Sequence, residues 1–232
     1  MFWIKICGTT NPGDALAAAE AGADALGFVF APSPRRISPR EAARITAVLP
    51  SSVEKIGVFV NQSAEVVLDT IQKAGLTGVQ LHGDEDRQFA RRLRDQRDSP
   101  ELRIIKTISM REAGEGTAIA TQENAAGAFS ALMLDSGGSG GKRGGTGMTF
   151  DWQDAAPMAR LLAKKFKLII AGGLNPDNVA RALRIFCPWG VDVVSGVEQA
   201  PGKKDVKKLH AFIAAVRQFD AAPLYQKAET RK

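Results

Sequence analysis

"FKLIIAGGLNPDNVARALRIFCPWGVDVVSG", residues 166–196, contains one full repeat of the plan on which the chain is built. "FKLII" is an apolar run, Gly172 and Gly173 interrupt it, "NPDNVARALRIF" carries apolar residues at helical spacing, and "GVDVV" begins the next apolar run. A strand with one wet face alternates apolar and polar residues, whereas a strand covered on both faces need not. Strand, glycine turn, helix and strand in succession therefore point to a parallel sheet wrapped in helices.

The same alternation extends in both directions. Upstream lie the strand candidates "FWIKIC" (2–7), "DALGFVF" (24–30), "EKIGVFV" (54–60), "GVQLH" (78–82), "LRIIKTI" (102–108) and "AFSALML" (128–134). Helical patterns follow them: "NPGDALAAAEAGA" with Asn11 as cap and Pro12 at the first position, "SPREAARITAVLP" opening on Ser38-Pro39, "SAEVVLDTIQKAG", "DEDRQFARRLRDQ" and a weaker segment near 110–124. A helix near 153–164 and "KDVKKLHAFIAAVRQF" complete the series. Eight short apolar strands, each followed by a helix, predict an α/β fold consisting of a single (β/α)8 barrel. An open doubly wound sheet is the competing architecture, because periodicity does not show closure. With no linker or shift in composition, residues 1–220 read as one barrel domain, and "AAPLYQKAETRK" from Ala221 onward reads as a loosely attached tail.

At 232 residues the chain is long enough to bury a large core, and 44% hydrophobic with 24% charged residues is the profile of a soluble globular protein. No stretch approaches the roughly 18 apolar residues of a membrane span, and "MFWIKIC" lacks the basic and apolar regions of a secretory signal. Cys7 and Cys187 are the two cysteines, which argues against a disulfide scaffold and fits a reducing cytoplasm, although their spacing alone permits one bridge. The net charge of +6 is spread over helix flanks such as "KKDVKK", and no stretch interleaves aromatics with Arg or Lys. The charge therefore suits attraction of a small anionic substrate better than nucleic acid. No His/Cys/Asp cluster has metal-ligand spacing, so no metal is expected.

In a barrel, chemistry gathers at the C-terminal ends of the strands. Those positions hold Cys7, Arg35 and Arg36, Asn61, His82, Lys106, Asp135, Gly172 and Gly173, and Ser195 and Gly196. The glycine-bearing loops after the seventh and eighth strands read as a phosphate seat, since glycines let backbone N–H groups approach an anion. Neither is a nucleotide fingerprint. His82 could assist near a base or act as a structural hydrogen-bonder. Cys187 reads as packing, Asp192 as facing a polar partner inside the barrel, and Asp84, Glu85 and Asp86 as the start of the fourth helix. The loop "SGGSGGKRGGTG" (136–147), with Lys142 and Arg143, suits a lid or a solvated loop equally.

"KICGTT", "GADALGFVFAPSPRRIS", "GVFVN", "VQLHGDE", "LMLDS", "GGTGMTFDW", "AGGLNPDNV" and "DVVSGVEQAPGKKD" occur in an order that resembles the phosphoribosylanthranilate isomerase family, from Lys5 to Asp205. The resemblance implies a (β/α)8 barrel of tryptophan biosynthesis that performs an Amadori rearrangement of phosphoribosyl anthranilate without a cofactor, as a monomer or homodimer. It implies Cys7 as catalytic base, Asp135 as general acid and Arg36 as the partner of the anthranilate carboxylate. Val194 departs from the family's serine before Ser195 and Gly196, removing one hydroxyl near the phosphate. Two other readings share the phosphate loops: an indole-forming synthase with Lys106 as its acid, and a phosphate-binding barrel without catalysis.

Overall fold

The computed structural model describes residues 1–97, 102–109, 125–136 and 152–221. Strands β1 (Trp3–Cys7), β2 (Ala25–Val29), β3 (Glu54–Phe59), β4 (Gly78–Leu81), β5 (Arg103–Ser109), β6 (Ala131–Asp135), β7 (Leu168–Ile170) and β8 (Gly190–Val193) pair in parallel, in sequence order, and close when β8 meets β1. The architecture is the (β/α)8 barrel, and the open sheet is excluded. Helices α1 (Pro12–Glu20), α2 (Pro39–Thr46), α3 (Ala64–Ala74), α4 (Arg87–Arg97), α5 (Ala125–Ala128), α6 (Trp152–Ala163), α7 (Val179–Phe186) and α8 (Val206–Ala221) lie between and after the strands. The weaker helical segment at 110–124, nearly all of the loop at 136–147 with Lys142 and Arg143, and residues 222–232 of the expected tail lie outside the described residues. Ala221 itself ends α8.

Local chemistry sets the boundaries. Asn11 Oδ1 accepts from the Asp14 amide at 2.9 Å, and Pro12 supplies a first-turn φ without wasting a donor. Ser38 and Glu41 form a reciprocal capping box that opens α2. Asp86 caps α4, through the Phe89 amide at 2.8 Å. Asp84 and Glu85 instead tie down the loop after β3: Asn61 N–H donates to Glu85 at 2.6 Å and Asn61 Nδ2 to Asp84 at 2.8 Å. Cys187 does not pack. It takes the left-handed C-cap of α7 (φ 43°), which turns the chain toward Pro188 and leaves the thiol exposed.

Because successive side chains on a strand point to opposite faces, each strand supplies two cores. The outer faces, with Ile4, Ile6, Leu26, Phe28, Leu132 and Leu134 among them, pack against the helices. The inner faces fill the barrel with Trp3, Ala25, Ile56, Ile105, Ala131, Met133, Ile169 and Ala171. Trp3 stacks on Trp189 at 5.1 Å, and Arg103 lies against both rings at the N-terminal end. With that end filled, the opposite mouth is left for chemistry. A short addition follows β8: a 3-10 turn (Ser195–Val197) and a hairpin of β9 (Glu198–Ala200) with β10 (Lys203–Lys204).

Candidate active site

Cys7 and Asp135 are the last residues of β1 and β6, and both share the inward parity of their strands. Both are buried, and Cys7 is a free thiol. Around the ring, β7 and β8 stand between these two strands, so the loops after β7 and β8 lie between the thiol and the carboxyl. Gly27 on β2 pairs directly with Cys7, and a Cβ at Gly27 would lie 2.5 Å from Cys7 Sγ. The absence of a side chain there is what gives the sulfur its place.

Beneath Cys7 the barrel turns polar. Lys5 is fully buried, and its ammonium donates to Asp192 at 2.7 Å and to Gln80 Oε1 at 2.8 Å. Because lysine can only donate, the Gln80 amide nitrogen must face away from it. That nitrogen donates to Thr107 Oγ1 at 3.1 Å and meets His82 Nδ1 at 3.1 Å. His82 therefore accepts at Nδ1 and carries its proton on Nε2. Asp192 meets the interior polar partner expected of it.

Above this layer, the β9–β10 hairpin folds back over β1. Lys204 donates to the Cys7 carbonyl at 2.5 Å and pairs with Glu198 at 3.1 Å. Glu198 also receives a bidentate grip from Arg35, at 2.6 to 3.0 Å. Burial pushes the Cys7 thiol up from its ordinary value; the Lys5 and Lys204 ammonium groups pull against that, while Asp192 adds to it. Burial works against the Lys5 charge too, but Asp192 and Cys7 together hold it above the usual lysine value. Lys204 goes down, because burial outweighs Glu198.

The two glycine loops pack on one another. Gly172 (φ +85°) and Gly173 (φ +68°) take conformations that side chains avoid, and a Cβ on Gly172 would lie 2.5 Å from the Ser136 amide nitrogen. A Cβ on Gly196 would overlap the Leu174 carbonyl oxygen. Asn178 Nδ2 donates to the Gly173 carbonyl at 2.9 Å and stiffens the first loop. Among the described residues, the backbone N–H groups of Gly173, Ser195 and Gly196 donate to no protein acceptor. Ser136 Oγ donates to Asp135 at 3.3 Å, joining the carboxyl to this cradle.

The chain is similar to known proteins over most of its length. A family model described as N-(5'phosphoribosyl)anthranilate (PRA) isomerase matches residues 4–215. The chain belongs to that family. The N-(5'-phosphoribosyl)anthranilate isomerase of Trichlorobacter lovleyi is 44% identical over 214 residues, which is 92% of this chain and 97% of that protein. The crystal structure of phosphoribosyl anthranilate isomerase from Thermotoga maritima has a TM-score of 0.80 at 39% identity, covering 94% of this chain and 100% of that one. Another phosphoribosyl anthranilate isomerase, in complex with reduced 1-(o-carboxyphenylamino)-1-deoxyribulose 5-phosphate, has a TM-score of 0.77 at 38% identity, with the same coverage.

For this member of the isomerase family, the mouth gathers Cys7, His82, Asp135, Gly172, Gly173, Ser195 and Gly196 at neighbouring strand ends. Arg36 stands exposed in the loop after β2, bridged by its backbone to Val29, whereas its neighbour Arg35 is committed to Glu198. Lys106 does not end a strand. β5 continues to Ser109, and the Lys106 ammonium donates to the Gly83 carbonyl at 2.5 Å, so the synthase reading loses its acid. Sequence reasoning passed over Lys5, Gly27 and Lys204. Only Lys5 carried a signal, as a charged residue spaced by two from Cys7 inside an apolar run. Among the described residues, no group of three or more His, Cys, Asp or Glu side chains could hold a metal ion, and no helix is long and apolar enough to cross a membrane.

Proposed function

We propose that Cys7 is the general base and Asp135 the general acid with which this isomerase converts N-(5'-phosphoribosyl)anthranilate to 1-(2-carboxyphenylamino)-1-deoxyribulose 5-phosphate. The observation that carries the reading is the ring order. Thiol and carboxyl end β1 and β6, and the two glycine loops with their free amides lie between them. A sugar phosphate anchored in those loops has one group on either side of its ring. Asp135 protonates the ring oxygen as its bond to C1′ breaks, which leaves an iminium on the anthranilate nitrogen. The Cys7 thiolate removes the C2′ proton to give the enolamine, which tautomerises to the ketone. The Ser195 and Gly196 amides and the Gly172–Gly173 turn hold the phosphate, Arg36 meets the carboxylate, and His82 offers its Nε2 proton to the sugar. The complex of a related isomerase with a reduced product supports this assignment of substrate.

Both cysteines are free, which supports work in a reducing cytoplasm. The Thermotoga maritima isomerase is described as dimeric, and a homodimer is the assembly we assign here. Every residue placed in the site comes from one chain. The deciding experiment follows the loss of anthranilate-sugar fluorescence, without added metal, for wild type, Cys7→Ser and Asp135→Asn. Each variant should lose about 10²- to 10⁴-fold in kcat. Either one turning over at the wild-type rate overturns the assignment.

A further inference from the structure

A polar layer lies beneath Cys7, where an apolar one would fill the barrel equally well by volume. Lys5, Gln80, Thr107 and Asp192 meet inside a barrel whose inner apolar cluster is Trp3, Ala25, Ile56, Ile105, Ala131, Met133, Ile169 and Ala171. Exchanging a buried ion pair for apolar residues of similar volume is commonly neutral or stabilising. Yet a lysine with no exposure stands there, two residues before Cys7 on the same inward face of β1. We propose that Lys5 is a positioning residue for the base: its ammonium, held by Asp192 and Gln80 beneath Cys7, is the fixed cation that favours the thiolate against the pull of burial.

This proposal rests on the assignment of Cys7 as base. The charges around the thiol single out Lys5. From β8 comes Asp192, already paired with Lys5. From the β9–β10 hairpin come Glu198 and Lys204, and the Lys204 ammonium is engaged by Glu198 and by the Cys7 carbonyl. From the loop after β2 comes Arg35, engaged by Glu198. β2 itself presents Gly27, and the residue after β4 is His82, which meets the layer through Gln80. When Cys7 ionises, Lys5 gains a second anion. Lys5 is also the leading charge acting against burial at the thiol.

The test uses a Cys187→Asn background, since Cys187 is exposed and in a left-handed conformation that asparagine tolerates. Cys7 ionisation is followed by thiolate absorbance and by the pH dependence of alkylation. Lys5→Met should move the midpoint up by about one pH unit or more. It should lower kcat at pH 7 by about 10-fold with KM unchanged, the deficit shrinking at alkaline pH. Asp192→Asn should move the midpoint down, because Cys7 becomes the remaining anion for Lys5. Loosened packing would move both the same way. An unmoved midpoint in Lys5→Met, or an upward shift in Asp192→Asn, overturns the proposal. Should Lys5→Met fail to fold, Lys5→Gln takes its place with the same expected upward shift, and an unmoved midpoint there overturns the proposal. The titration reads the thiol without turnover, so a failure of the base assignment, seen as full activity in Cys7→Ser, is told apart from a failure here.

Discussion

Replacing Gly27 by alanine adds a methyl group at the crowded point beside Cys7. Its Cβ would lie 2.5 Å from Cys7 Sγ, 3.0 Å from Cys7 Cβ and 3.1 Å from Cys7 Cα. Carbon atoms pack at about 3.5–4.0 Å, so the overlap is about 1 Å and includes backbone of the paired strand. The sulfur must leave its rotamer or β1 and β2 must separate. Overpacking of this kind costs about 1–3 kcal/mol of stability. A 1 Å error in a catalytic group costs about 100-fold in rate. Gly27→Ala should therefore lose about 100-fold in kcat while remaining folded at 25 °C. The control is Gly57→Ala, where the added Cβ would lie 2.6 Å from Leu76 and 2.7 Å from Phe59, away from the thiol. It should lose comparable stability and keep its kcat. The assays are denaturant unfolding and fluorescence turnover on both variants. Equal kinetic losses in the two, or a wild-type kcat in Gly27→Ala, would refute the claim that this glycine exists for the sulfur.

Arg36→Met should raise KM with little change in melting temperature, whereas Arg35→Met, which leaves the buried Glu198 with Lys204 as its cationic partner, should cost about 1.5–3 kcal/mol in a denaturant titration. Because burial raises the Cys7 thiol, kcat/KM should climb with pH through neutrality into the alkaline range, as a pH–rate profile will show. The same shift has a stability sign: folding favours the protonated thiol, so its contribution is full below the unfolded value of about 8.5 and is lost as pH rises through the folded one. Gly196→Ala should push the two phosphate loops apart and weaken inhibition by inorganic phosphate about 10-fold or more, measured by competition.

The barrel was legible because its strands are short and largely apolar and its helices begin on recognisable caps such as Asn11 and Ser38. Its edges were less so. The α7 helix begins at Val179 and not at Asn175, because Asn175 and Asn178 hydrogen-bond one another's backbone and fold "NPDN" into a turn. The run before β6 is shorter than it reads, since Ala128 ends the short α5. The β9–β10 hairpin is short and polar, with no periodicity to announce it. In the site, Cys7 and Asp135 stood out as polar ends of apolar strands. The duty of Lys5 was hidden, because its partner Asp192 is 187 residues away. Nothing local separates Arg35 from Arg36 either; only the distant Glu198 does.

The bond from Lys204 to the carbonyl of Cys7 joins points 197 residues apart in the chain. The clamp over the last residue of β1 is synthesised 197 residues after the strand it holds. At about 5–20 residues per second, β1 waits some 10–40 s for β8 and the hairpin that follows it. During that wait its thiol has no barrel around it, so a truncated chain should carry an ordinary cysteine. The reactive environment is created only when the ring closes, and translation itself thus sets the moment at which the nascent protein acquires its chemistry.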